Sequence, residues 1–168
     1  LTHKHKKNLR KGLRLLALAP ELEQAKRWSD LVRGTLNTAE KAQRWIPNET
    51  VVSLKSKRPP AYLRKKLGSS KVQLLLDSEM RELTKFLNIN VKKRVRSTNE
   101  RIFTKELSSQ RDFLDSIEKS PLTEEQARSV ICYDNRVQVV AAAGSGKTSV
   151  MVARAGYALK KGFTSPNK

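Results

Sequence analysis

The chain has 168 residues, 38% of them apolar, enough for the core of one modest domain or parts of two. Its charge is lopsided: 35 Lys and Arg against 16 Asp and Glu give +19, with 28 of the basic and 13 of the acidic residues in 1–119. Such an excess points to a polyanion partner, nucleic acid ahead of an anionic membrane surface, while the single Cys132 excludes an internal disulfide and fits a reducing cytoplasm.

No apolar run approaches the roughly 20 residues that cross a bilayer. Leu13–Ala19 is no signal-peptide core, since Arg14 interrupts it and Pro20 follows it. Residues 1–12 are basic and nearly free of apolar side chains, which predicts a mobile tail. His3 and His5 have no neighbouring Cys or carboxylate to complete a metal site. From Glu21 to Ile46 a helix is indicated by Ala25, Trp28, Val32, Thr35, Ala39, Ala42 and Ile46, which recur at steps of three and four; Pro47 stops it. Trp28 and Trp45 read as packing residues of this stripe rather than platforms for stacked bases. Asn48–Ser70, with Pro59-Pro60 and two basic clusters, reads as a loop or linker.

A second helix is expected over Lys71–Leu87. The cationic run Val91-Lys-Lys-Arg-Val-Arg96 reads as a short strand or extended loop. Ser97 and Glu100 have capping-box spacing and open a third helix that Ser120-Pro121 ends. Residues 1–119 are thus expected to form a basic, mainly helical region.

Beyond it, Thr123 and Gln126 again have capping-box spacing. That is a complete structural role for both. Gln126 has a second reading: an amide presents a donor and an acceptor side by side, matching N6–H and N7 of adenine. Spacing leaves the two readings open. Cys132 lies in an amphipathic helical stretch and reads as a buried, inert thiol.

Val137–Ala141 has the β-branched content of a short buried strand, and Ser149–Lys161 looks helical. Between them stand Gly144-Ser145-Gly146-Lys147-Thr148, so strand, glycine-bearing loop, Lys-Thr and helix follow in the order of a phosphate-binding P-loop. Backbone N–H groups of such a loop converge on phosphate oxygens, and glycines permit the angles and close approach this needs. The helix N-terminus adds further donors and the positive end of its dipole. Lys147 would reach the β- and γ-phosphates and Thr148 would bind the bridging Mg²⁺, the two catalytic candidates. Ala143, Gly144, Ser145, Gly146, Lys147, Thr148 and Ser149, with Gln126, are the candidate nucleotide-binding set. Ala141 stands where the general motif has its first glycine.

Residues 120–166 combine the Leu122-Thr-x-x-Gln126 block, the gap to the expected strand, the Ala-x-Ala-Gly-Ser-Gly-Lys-Thr loop and the Val152-Ala-Arg-Ala-Gly-Tyr157 helix. Together these resemble the beginning of the motor of UvrD/Rep-type superfamily 1 DNA helicases. The resemblance implies an α/β, RecA-like domain opening at 120–168 and left incomplete, after the helical region 1–119. It implies that Gln126 reads the adenine of ATP, that Mg²⁺ is required, and that the whole enzyme moves 3′ to 5′ along single-stranded DNA in the cytoplasm, at the nucleoid in a bacterium. Alanine at 141 is usual in that family. Alanine at 142 is not, and would cost about 1 kcal/mol if the position needed a positive φ. Ser149 stands where many relatives have arginine. The next parallel strand, the acidic pair for Mg²⁺, an arginine finger and the second motor domain are not within 168 residues. The chain is therefore expected to be a fragment of a larger enzyme, inactive alone in ATP hydrolysis and unwinding. The alternatives are a generic P-loop ATPase or kinase fragment, and a non-enzymatic basic module that binds nucleic acid.

Overall fold

The computed structural model describes residues 2–117, 121–140, 142 and 144–164. Among these residues it contains ten helices and no strand: α1 (His3–Leu16), α2 (Ala19–Ala42), α3 (Asn48–Ser56), α4 (Ala61–Gly68), α5 (Ser70–Gln73), α6 (Ser78–Phe86), α7 (Val91–Ser109), α8 (Arg111–Ser116), α9 (Glu124–Ile131) and α10 (Lys147–Lys160). No described helix is long and apolar enough to cross a membrane. The chain divides into two compact units, one of Leu1–Thr35 with Val52–Arg94, the other of Leu36–Val51 with Val95–Lys168.

In the first unit the expected tail is instead helix α1, opened by the Thr2 side chain accepting from the His5 amide. Two residues on, α2 carries Pro20 in its first turn, where a missing N–H costs nothing. Trp28 is 3% exposed, and its indole Nε1 donates to the Leu54 carbonyl at 2.8 Å. That is a core tryptophan, with Phe86 6.1 Å away and the Arg58 guanidinium over its ring. The expected loop 48–70 holds α3 and α4, hinged at Pro59-Pro60, because Val51, Leu54, Leu63 and Leu67 each find buried positions. The expected helix 71–87 is broken. Asp77 caps α6 by accepting from the Met80 amide at 2.8 Å, and Arg81 Nε donates to the Gln73 and Leu76 carbonyls that end the piece before it.

The cationic run 91–96 is the first turn and a half of α7, not a strand. The Asn90 side chain accepts from the Lys93 amide at 3.0 Å, so the helix starts there, and the expected capping box at Ser97 lies inside it. Val91, Val95, Thr98 and Ile102 form the buried stripe that overrides the charges.

In the second unit α7, α8, α9 and α10 share a core of Phe103, Leu114, Leu122, Ala127, Val130, Ile131, Val150, Ala153 and Tyr157, with Trp45 packed against it. Residues 36–51 are tied to it by polar contacts. The buried Asn99 amide pairs with both backbone groups of Ile46, at 2.9 and 3.0 Å. The Asp134 carboxylate accepts from the Asn48 amide at the start of α3. The expected strand at Val137–Ala141 does not form over its described residues: 137–140 have no regular structure and Val140 is 85% exposed. A strand exists through pairing with a neighbour, and no described segment pairs with this one. Ala141 and Ser120 lie outside the described residues.

Candidate nucleotide-binding loop

Helix α9 begins with a complete capping box. Thr123 Oγ1 accepts from the Gln126 amide at 3.3 Å, and Gln126 Oε1 accepts from the Thr123 amide at 2.9 Å. Gln126 does more than cap. Its Nε2 donates to the Ser145 carbonyl at 3.1 Å, joining the start of α9 to the glycine loop 19 residues on.

In that loop Gly144 (φ +76°) and Gly146 (φ +82°) are both left-handed, angles that L side chains rarely adopt. At Gly146 a Cβ would also stand 2.6 Å from Gln126 Nε2, so the backbone angle favours glycine and any side chain would push the Gln126 amide aside. Gly146 precedes α10 and has no side chain to cap it; the helix thus presents the N–H groups of its first turn, and no acidic residue stands in that turn. Beyond Gly144 nothing lies within 4 Å of where a Cβ would be. The Ala142 carbonyl receives Lys147 Nζ at 2.6 Å and Ser145 Oγ at 2.7 Å. Lys147 and Thr148 are exposed and Ser149 half-buried. Gln126, Gly144, Ser145, Gly146, Lys147, Thr148 and Ser149 thus occupy one end of α10; Ala143 lies outside the described residues.

Long-range contacts that no spacing announces fix the direction of α10. Arg154 donates to the carbonyls of Ser129 and Cys132 at 2.7 and 2.9 Å, closing the C-terminus of α9, and stacks on Tyr133. Glu106 of α7, 3% exposed, accepts from the Tyr157 hydroxyl at 2.8 Å and from Lys161 Nζ at 3.0 Å. Burial, then the Glu106 contact, holds the Tyr157 hydroxyl far above its ordinary pKa. Phe113 of α8 lies 3.3 Å from a Cβ built on Gly156 of α10, close enough that a larger residue there would need the ring to shift. Arg128 of α9 pairs with both Glu100 oxygens and stacks on Phe103. Cys132 stands at the end of α9 rather than within it, half-buried, and burial pushes its thiol up, away from the reactive thiolate.

A helix N-terminus that no side chain caps, two left-handed glycines, an ammonium and a hydroxyl make a donor set suited to a polyphosphate. No group of three or more metal-ligating side chains occurs among the described residues. A Mg²⁺ at this loop would draw on the Thr148 hydroxyl and on phosphate oxygens, a combination that suits its preference for oxygen and retained water.

Residues 122–168 match the model of the UvrD/REP helicase N-terminal domain, so that stretch is similar to the UvrD-type helicases. Among relatives, DNA helicase IV of Escherichia coli (strain K12) is 48% identical over 62 residues. Those residues are 37% of this chain and 9% of that relative. No solved structure matches.

Proposed function

We propose that the chain is the opening part of an ATP-dependent DNA helicase that moves 3′ to 5′ on single-stranded DNA, with ATP held between Gln126 and the start of α10. The observation that carries this reading is the pair of left-handed glycines delivering an uncapped helix N-terminus beside Gln126, inside the UvrD-type segment. In this reading the amides of Ala143 through Ser149 cradle the β- and γ-phosphates. Lys147 exchanges the Ala142 carbonyl for a phosphate oxygen. The Thr148 hydroxyl would supply one oxygen to Mg²⁺, an ion that would offset phosphate charge there. Gln126 selects adenine.

The test is a binding titration of the chain with ATP and GTP, with and without Mg²⁺. ATP is expected to bind more tightly by about tenfold, the worth of one good amide–base contact of roughly 1–3 kcal/mol. Gln126→Ala should remove that preference. Equal affinity for the two nucleotides, unmoved by the substitution, would leave a general P-loop nucleotide site.

DNA is the proposed polyanion for the +19 surface. Affinity for a single-stranded oligonucleotide should fall with salt at a log–log slope of about −0.7 per phosphate contacted. A flat response would reduce the basic surface to a solubility feature.

A further inference from the structure

In the first unit a groove of about 970 Å³ runs between α1, α2 and α6. Its floor is apolar, with Leu22, Met80 and Leu83, and Leu15 and Leu16 of α1 stand on its wall. Its edge carries Glu23, Asp30, Asp77, Glu79 and Glu82 against Lys26 and Arg33. Five of the 16 acidic residues of a +19 chain therefore border one groove. Nucleic acid is the wrong occupant for such an edge.

Helix α1 has the opposite character. None of its 14 residues is buried. Leu9, Leu13 and Leu16, four and three residues apart, are 60%, 57% and 70% exposed on one face. Its charged side chains are Lys4, Lys6, Lys7, Arg10, Lys11 and Arg14, with no carboxylate among them. An isolated helix shorter than about 12–15 residues is marginal in water, and most helices owe their stability to a packed apolar face. This one keeps its leucine stripe largely exposed.

We propose that a second copy of this chain lays its α1 in the groove and receives this copy's α1 in return, giving a two-fold dimer. The incoming Leu9, Leu13 and Leu16 cover the apolar floor, and the incoming cations meet the acidic edge. Gly12 lines the groove with nothing within 4 Å of where a Cβ would stand, so the two α1 backbones approach closely. One chain carries both the deficit and its complement, the requirement for an isologous interface. A bare apolar or bare basic surface would not single out another copy. A helix in a groove is a small interface, so the dimer is weak and depends on salt.

The test is analytical ultracentrifugation of the full 168-residue chain. Dimers are expected at tens of micromolar protein in low salt, weakening about tenfold or more as the Debye length shrinks from about 30 Å to 8 Å. Leu9→Ser with Leu13→Ser should leave a monomer. So should Asp30→Lys with Glu79→Lys, and so should Lys6→Glu with Arg10→Glu. Mixing the last two variants should restore the dimer, because each then offers what the other's groove and helix require; misfolded chains would give no such rescue. A wild-type chain that stays monomeric overturns the proposal. So does a dimer indifferent to all three variants, or a monomer whose leucine stripe instead binds vesicles of mixed phosphatidylcholine and phosphatidylserine.

Discussion

Lys147→Ala is expected to weaken ATP binding by about 10- to 100-fold, since a hydrogen bond to a charged group contributes roughly 1.5–3 kcal/mol. The ammonium is exposed at the first position of α10, and its bond to the Ala142 carbonyl is a local one. Removing it opens no cavity. A cation in the first turn opposes the helix dipole, so the purely structural expectation is a small gain in stability, a few tenths of a kcal/mol. The two roles therefore predict opposite signs in two measurements. Calorimetric titration with ATP reads the first and denaturant unfolding the second. Unchanged affinity in the variant would remove Lys147 from the nucleotide site.

Glu106→Ala is expected to cost about 3 kcal/mol or more, because removing one member of a buried, hydrogen-bonded charge pair strands the other. The Tyr157 hydroxyl and Lys161 ammonium both lose their acceptor, and both sit at the far end of the helix that starts at the glycine loop. Glu106→Gln keeps an acceptor for Tyr157 and loses only the charge, so it should fall between alanine and wild type. Denaturant midpoints give the order; equal stability of all three would show that the cluster does not hold α10. The same cluster sets an alkaline limit. With the folded Tyr157 held above its ordinary 10.0, its contribution is complete below that value and is lost as pH rises past it, when the unfolded chain ionises first. Tyr157→Phe should flatten that limb of the stability curve.

What the sequence discloses follows the range of the forces involved. The cap at Thr123 and Gln126, the turn at Gly144 and Gly146, the helix after it and the buried Trp28 are set within a few residues, and all were legible. The tail that proved to be α1 has few apolar residues up to position 12, and its leucines fall at 9, 13, 15 and 16, across the boundary drawn for it. In 48–70 the proline pair has the composition of a loop, while Val51, Leu54, Leu63 and Leu67 are buried on either side of it. Over 91–96 the cations hid a stripe that continues to Ile102, and the cap is Asn90, seven residues before the serine that matched a pattern. The strand at 137–140 failed for another reason. A strand's hydrogen bonds are made with another segment, so composition names a candidate and pairing decides. Glu106, Arg154 and Asn99 were invisible because their partners lie 22–55 residues away in the chain.

Gln126 has one further consequence, a matter of valence. A carboxamide offers two lone pairs and two N–H bonds. The cap occupies one lone pair, through the Thr123 amide, and the Ser145 carbonyl occupies one N–H. One of each remains, which is what the N6–H and N7 edge of adenine asks for. Under the proposed function, capping a helix and recognising a purine are compatible states of one side chain, and binding ATP need not unwind α9. Hydrogen exchange at the Thr123 amide should stay slow throughout an ATP titration; an amide that is released as nucleotide saturates would mean that the two tasks compete.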